Sequence, residues 1–325
     1  MIKYLIHSEL DKQKWDDCIA RSCNTLVYAY SWYLDVVNPS WEALVEDDYK
    51  AVMPLTWRKK MGVRYLFQPA FTQKMGVFSP DGVSAARLDS FIAKAKSLFS
   101  FAEINLNADN TLPGLPRHAN YELNLDADYS QIVANYHDNT RRNLSKAQKN
   151  GLVVRDDVDI NKVIELFDTD RRLLLPSFDT SSYEVLRALS SVALGKGKAF
   201  VKGVYETGGN LVSAALFVSD GHTLTFLFSG NSAEGKHLQA MTFLVDSVIK
   251  NFCKKYGKLD FEGSDDEGLA RFYRGFGAEL YEYNSFRFNN MPWFSNFVLN
   301  LWKKLKRRHL SNTMLQPFCS YYFNR

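Results

Sequence analysis

The chain has 325 residues, 46% of them hydrophobic and 23% charged, with a formal net charge of +4. Its length exceeds one ordinary hydrophobic core and predicts two domains. Its small charge gives no sign of a DNA partner. The four cysteines, Cys18, Cys23, Cys253 and Cys319, form no CxxC pair and lie at no ligand spacing from the six histidines, so neither a metal site nor a disulfide framework is expected.

Taken in order, Ile2–Ile6 reads as a strand, Lys12–Arg21 as a helix and Tyr30–Val37 as a second helix stopped by Asn38-Pro39. Trp41–Glu46 and Ala51–Arg58 form a hairpin about the turn residues Asp47-Asp48. A further strand stretch, VRYLFQPAFTQKMGVFS, is followed by an amphipathic helix near Ser84–Ser100 and the short strand AEINLN. After Pro113-Gly114 and Pro116, Tyr121–Leu125 alternates like a strand. Asp128–Asn150 reads as a long helix, broken near Asp138-Asn139 and ended by Gly151.

LVVRDDV opens the second half, with helices near Asn161–Leu175 and Ser182–Leu194. The paired strands Ala199–Glu206 and Leu211–Val218 turn at Thr207-Gly208-Gly209-Asn210, and Thr223–Ser229 follows. A helix over His237–Tyr256 and the strand KLDFEG complete it. Strand, turn, strand, strand, helix, short strand thus occurs twice, at low residue identity. Two copies of one α/β unit are expected to lie side by side and build a cleft. The predicted boundaries are 1–127 and 128–290, with 291–325 as a tail.

Four constellations carry candidate chemistry. At the junction FLFSGNSAEGKHLQAMTFL a strand ends at Ser229, and a small polar loop with Gly230 and Gly235 leads into a helix. Unpaired N–H groups at the positive end of a helix suit phosphate or pyrophosphate, and Lys236 and His237 add charge; an ordinary βα connection is the alternative. Second, Asp260 and Glu262 stand two apart on a strand, so both side chains leave one face, and could take a proton from an attacking amine or hold it. The plain alternative is a polar strand end. Asp265, Asp266 and Glu267 read as the acidic first turn of a short helix.

Third, Arg142, Lys146 and Lys149 share a helix face at i, i+4 and i+7 beside Arg141. This is either a solvated face or a reach toward polyphosphate or an acidic substrate. Fourth, MPWFSNFVLNLWKKLKRRHL makes an amphipathic helix with a basic side, expected to pack on the body, with peripheral membrane contact through 291–308 as the alternative. The N-terminal apolar run is too short for a signal peptide, and no stretch approaches the roughly 20 apolar residues of a membrane span. A cytoplasmic location with reduced thiols is the expectation.

The bridging NTRRNLSKAQKNG, the strand end FLFSGNSAEGKHLQAM and the closing DFEG…ARFYRGFG resemble the GNAT acyltransferase superfamily, and more specifically its FemAB-like branch. That branch includes the peptidyltransferases of cell-wall bridge synthesis. The resemblance covers most of residues 1–290 and implies an α/β (α+β) fold of two GNAT-like domains, each a mixed twisted sheet flanked by helices. It also implies a donor site in the second domain. Phe228 and Ser229 would bind the donor's arm through the backbone, and Gly230, Gly235, Lys236, His237, Leu238 and Gln239 would surround its phosphates.

By the same resemblance, Tyr273, two residues before Gly275-Phe276, is the candidate general acid, where the family's tyrosine stands four before. Arg141, Arg142, Arg271 and Arg274 would hold anionic parts of donor or acceptor. The expected reaction is acyl transfer from a coenzyme A thioester, acetyl-CoA in the simplest case, to an amine on a small molecule or cell-envelope precursor. No permanent cofactor is expected. The alternatives are aminoacyl transfer from tRNA to a cell-wall precursor, and a non-catalytic binding module on a degenerate GNAT fold.

Overall fold

The computed structural model describes residues 1–290 except 61, 157, 172–179 and 264, so the expected tail helix lies outside the described residues. The elements are β1 (Ile2–Leu5), α1 (Lys12–Arg21), α2 (Ser31–Val37), β2 (Glu42–Glu46), β3 (Ala51–Leu55), β4 (Trp57–Lys60), β5 (Val63–Phe67), α3 (Ala85–Leu98), β6 (Phe101–Leu106) and β7 (Arg117–Asn124). There follow α4 (Tyr129–Ala134), α5 (Asp138–Lys149), β8 (Val153–Asp156), α6 (Ile160–Arg171), α7 (Thr180–Gly195), β9 (Ala199–Tyr205), β10 (Leu211–Ser219) and β11 (Thr223–Asn231). The last are α8 (Ala233–Leu238), α9 (Ala240–Phe252), β12 (Lys258–Asp260), α10 (Glu267–Arg274) and β13 (Glu279–Asn289).

Two compact units emerge. Among the described residues, one comprises Met1–Asn24, Asn38–Arg117 and 283–290; the other comprises Thr25–Val37 and His118–Glu282. The division differs from the expected boundary at 127/128, and residues 283–290, expected in the second domain, fall in the first unit. β7 belongs almost wholly to the second unit, and so does α2, which the chain contributes from its first forty residues.

In the first unit β1, β2 and β3 form an antiparallel sheet. A separate set runs β4-β5-β6-β13, with β5 and β6 parallel across α3. Its core gathers Leu88, Phe91, Ile92 and Ala95 of α3 over Leu66, Ala102 and Ile104. The expected hairpin strand Ala51–Arg58 is split at Thr56: β3 stays with β2, whereas Trp57 starts the strand that pairs with β5.

The second unit is a mixed sheet in the order β7-β12-β11-β10-β9-β8, parallel only between β11 and β12. Helices α5, α9 and α10 share one core with the sheet through Leu144, Ala147, Leu244, Val245, Tyr273 and Phe276. Helix α6 packs on β10 and β11, and α7 on α6, β9 and α2. Close approach of α6 requires a glycine at 230. A Cβ there would stand 2.5 Å from Leu166 Cβ and from the Phe167 nitrogen. The duplication is therefore one of topology: each unit has a single parallel β-α-β crossover, β5-α3-β6 and β11-α8-α9-β12.

Candidate functional site

The second unit's parallel pair defines the site. β11 and β12 pair over three residues only, ending at Thr225 opposite Asp260, while β11 continues beside β10 to Asn231. Strands that part in this way leave one edge of β11 without a ladder partner from β12. Where they part, β11 carries a bulge, because Phe226 is opposite Phe217 and Phe228 is opposite Leu216, leaving Leu227 extra. Two residues apart on a regular strand share a face. The bulge breaks this: Phe226 joins Phe217 in the α9 core, whereas Phe228 packs on Phe167 of α6 with centroids 4.8 Å apart.

β12 ends in the carboxylate pair. Asp260 is 1% exposed and Glu262 4%. They converge for a reason other than strand alternation. The strand stops at Asp260, Glu262 is left-handed with φ +54° and Gly263 follows at +44°. The turn brings the Glu262 N–H onto Asp260 Oδ1 at 2.8 Å. Gly263 is needed because a Cβ would lie 2.2 Å from Asn120 Cα. Asn120 Nδ2 donates to Asp260 Oδ1 at 3.0 Å, while its Oδ1 is buried and has no hydrogen-bond partner among the described residues. The Tyr28 hydroxyl donates to Glu262 Oε1.

Burial, and then the charge of Glu262, push the phenols of Tyr28 and Tyr33 well above their ordinary range, so both stay protonated donors. On the neighbouring positions Lys258 Nζ meets Glu122 Oε2 at 2.8 Å; burial opposes that charge, and Glu122 together with Asp260 and Tyr281 more than offsets it. Asp265 accepts from the Ala119 N–H and sits 2.7 Å from His118 Nδ1, which holds its carboxyl below the usual range. Asp266 caps α10 by accepting from Leu269 N–H.

Tyr273 is placed by its ring. Its ring stacks on Phe261 at 4.6 Å, in the apolar core that holds Leu259, on the side of β12 away from Asp260. The junction after Ser229 also differs from the open loop expected. Residues 233–238 form a helix that Ser232 caps through the Gly235 N–H, and the Lys236 N–H bonds to Ser232 O. Gly235 lies against β10, where a Cβ would stand 2.2 Å from Val212 O. Its amide is therefore already occupied.

Gln239 then adopts φ +64° and separates α8 from α9, so the expected single helix is two. Leu238 packs partly into the core, and His237 O accepts Lys146 Nζ at 2.9 Å. Of the four arginines, Arg141 is tied to Ala134 O and Asp138, Arg274 to Glu267, and Arg271 is exposed. Arg142 lines a cavity of about 400 Å3 with Ser145, Lys146, Lys149 and Asn150. Tyr28, Asn120 and the Leu227 bulge were not among the sequence candidates. No local pattern marks the first two, and a bulge inside TLTFLFSGN leaves an unbroken apolar run.

Solved structures share this fold. FemX superposes with a TM-score of 0.65 at 13% identity, covering 87% of this chain and 96% of FemX. The fold is FemAB-like, the one FemX adopts. A tandem GNAT protein from the clavulanic acid biosynthesis pathway superposes at 0.56 with 11% identity, over 90% of this chain and 99% of that one. No protein-family model and no curated protein matches the sequence. No helix among the described residues is long and apolar enough to cross a membrane.

Proposed function

We propose that the protein is an acyltransferase that moves an acyl group from a coenzyme A thioester to an amine. The observation that carries this reading is the parting of β11 and β12 at Asp260, with a second buried carboxylate, Glu262, beside the opening. A thioester arm laid along the open edge of β11 would meet backbone N–H groups near the Leu227 bulge, which suit a developing oxyanion. Glu262 would take a proton from the incoming ammonium. The freed nitrogen attacks the thioester carbonyl and loses a second proton to water as the C–S bond breaks; the sulfur leaves with its electron pair and takes the proton held by Glu262. Asp260 would hold both Asn120 and the Glu262 backbone in place, and the donor's phosphates would meet Arg142, Lys146 and Lys149.

One observation favours a second donor. Arg142, Lys146 and Lys149 lie exposed along a single helix, a surface that also suits the longer polyanion of an aminoacyl-tRNA.

Titration calorimetry of the full chain with acetyl-CoA tests the first reading. Binding is expected, and Arg142→Ala with Lys149→Ala should weaken it about tenfold, from about 0.2–1 kcal/mol for each exposed charge contact. No heat at millimolar acetyl-CoA, with tight salt-sensitive binding of charged tRNA, would transfer the proposal to the second donor.

A further inference from the structure

Tyr28 reaches the carboxylate pair from a distant part of the sequence. It lies in a short 3-10 turn, Val27–Ala29, 234 residues before Glu262, and within the same unit. It is 1% exposed, and Tyr33 packs edge-on against it with centroids 5.6 Å apart. Tyr28 and Tyr33 from this segment feel the charge of Glu262, and Tyr28 that of Asp260 as well; Lys258, near Asp260, is engaged by Glu122. Glu262 holds a left-handed backbone that residues other than glycine rarely adopt, so the surrounding structure must hold it there, and the Tyr28 hydroxyl is one such contact. Asn120 adds a buried acceptor oxygen with no partner among the described residues. The arrangement offers two carboxylates and one amide oxygen, all acceptors, and one phenol that can only donate to a carboxylate.

We propose that Tyr28 is a positioning residue of the acyl-transfer site. Its hydroxyl fixes Glu262 as the proton acceptor for the amine, and Asn120 Oδ1 takes a second amine hydrogen. This rests on the acyltransferase reading. In the step itself, an ammonium N–H bond breaks and its proton goes to Glu262 Oε2, while Tyr28 keeps its own proton and continues to donate to Oε1. The nitrogen lone pair then forms the C–N bond, the second N–H proton passes to water as the C–S bond breaks and the neutral amide forms, and Glu262 returns the first proton to the departing thiolate. A phenol donating to a carboxylate favours the ionised form, so loss of the hydroxyl raises the pH at which Glu262 becomes a base.

The test follows release of the coenzyme A thiol by the full chain, with acetyl-CoA and a panel of primary amines (amino acids, polyamines and amino sugars) across pH. Tyr28→Phe is expected to lower kcat about tenfold, leave the donor KM within about twofold, and move the acidic limb of kcat upward by about one pH unit. Difluorotyrosine at position 28, a stronger donor of the same shape, should move that limb downward and keep kcat. In a Glu262→Gln background, Tyr28→Phe should have no further effect. Wild-type turnover with a folded Tyr28→Phe variant whose kcat and pH limb are unchanged would overturn the inference alone. No turnover by the wild type with any acceptor would overturn the acyltransferase reading, and the inference with it.

Discussion

Asp246 shows how one buried charge couples this fold to pH. It sits in α9 at 5% exposure, and its Oδ1 accepts from the hydroxyls of Tyr129 at 2.8 Å and Tyr136 at 3.0 Å. Burial pushes its carboxyl upward, and the two phenols only partly offset this. A carboxyl raised on folding binds its proton more tightly in the folded state. Its contribution is therefore full below the unfolded value, near pH 4, and lost as pH rises through the folded value. An amide oxygen in place of Oδ1 could still accept from both hydroxyls, and the amide would carry no charge. The Asp246→Asn variant is thus expected to flatten the stability profile above about pH 4 and to exceed the wild type at pH 7, read from denaturant midpoints at a series of pH values. A wild-type profile left unchanged by the substitution would refute this account of Asp246.

At the scale of the element, the β11-to-α9 connection is where sequence and structure part most clearly. The run from Ser229 to Gln239 combines small, polar and glycine residues, which equally suits an open anion loop or a short capped helix. What separates the two is Val212 on β10. Its carbonyl accepts both the N–H and the hydroxyl of Ser232, fixing Ser232 where its Oγ can take the Gly235 N–H. That contact joins residues far apart in the chain and leaves no local trace.

Ser232→Ala removes one cap, which should cost about 1 kcal/mol of stability in urea denaturation. Because the Gly235 amide is already occupied, acetyl-CoA affinity should stay within about twofold after the stability loss. A fall of tenfold or more, with the protein still folded, would restore the loop amides as the phosphate contact.

At the scale of the molecule, the legible part was what repeats locally. Alternating apolar residues exposed the strands, and the pattern strand, helix, short strand exposed both units whose strands prove to pair in parallel. The illegible part is carried by sequence-distant docking. Tyr30–Val37 reads as a helix of the first half, but residues 25–37 fold with the second unit, where α2 packs on α7 and Tyr28 bonds Glu262. No periodicity in that segment records which sheet it covers.

The consequence can be measured by hydrogen exchange on the whole chain. Leu34, fully buried in α2, should cost about 2–5 kcal/mol when cut to alanine. The lost protection is expected in α7 and residues 260–263, far away in sequence, while β2 and β3, which follow α2 directly, keep theirs. Loss confined to β2 and β3 would show that the segment stabilises its sequence neighbours instead, and would remove the structural basis for placing Tyr28 in the site.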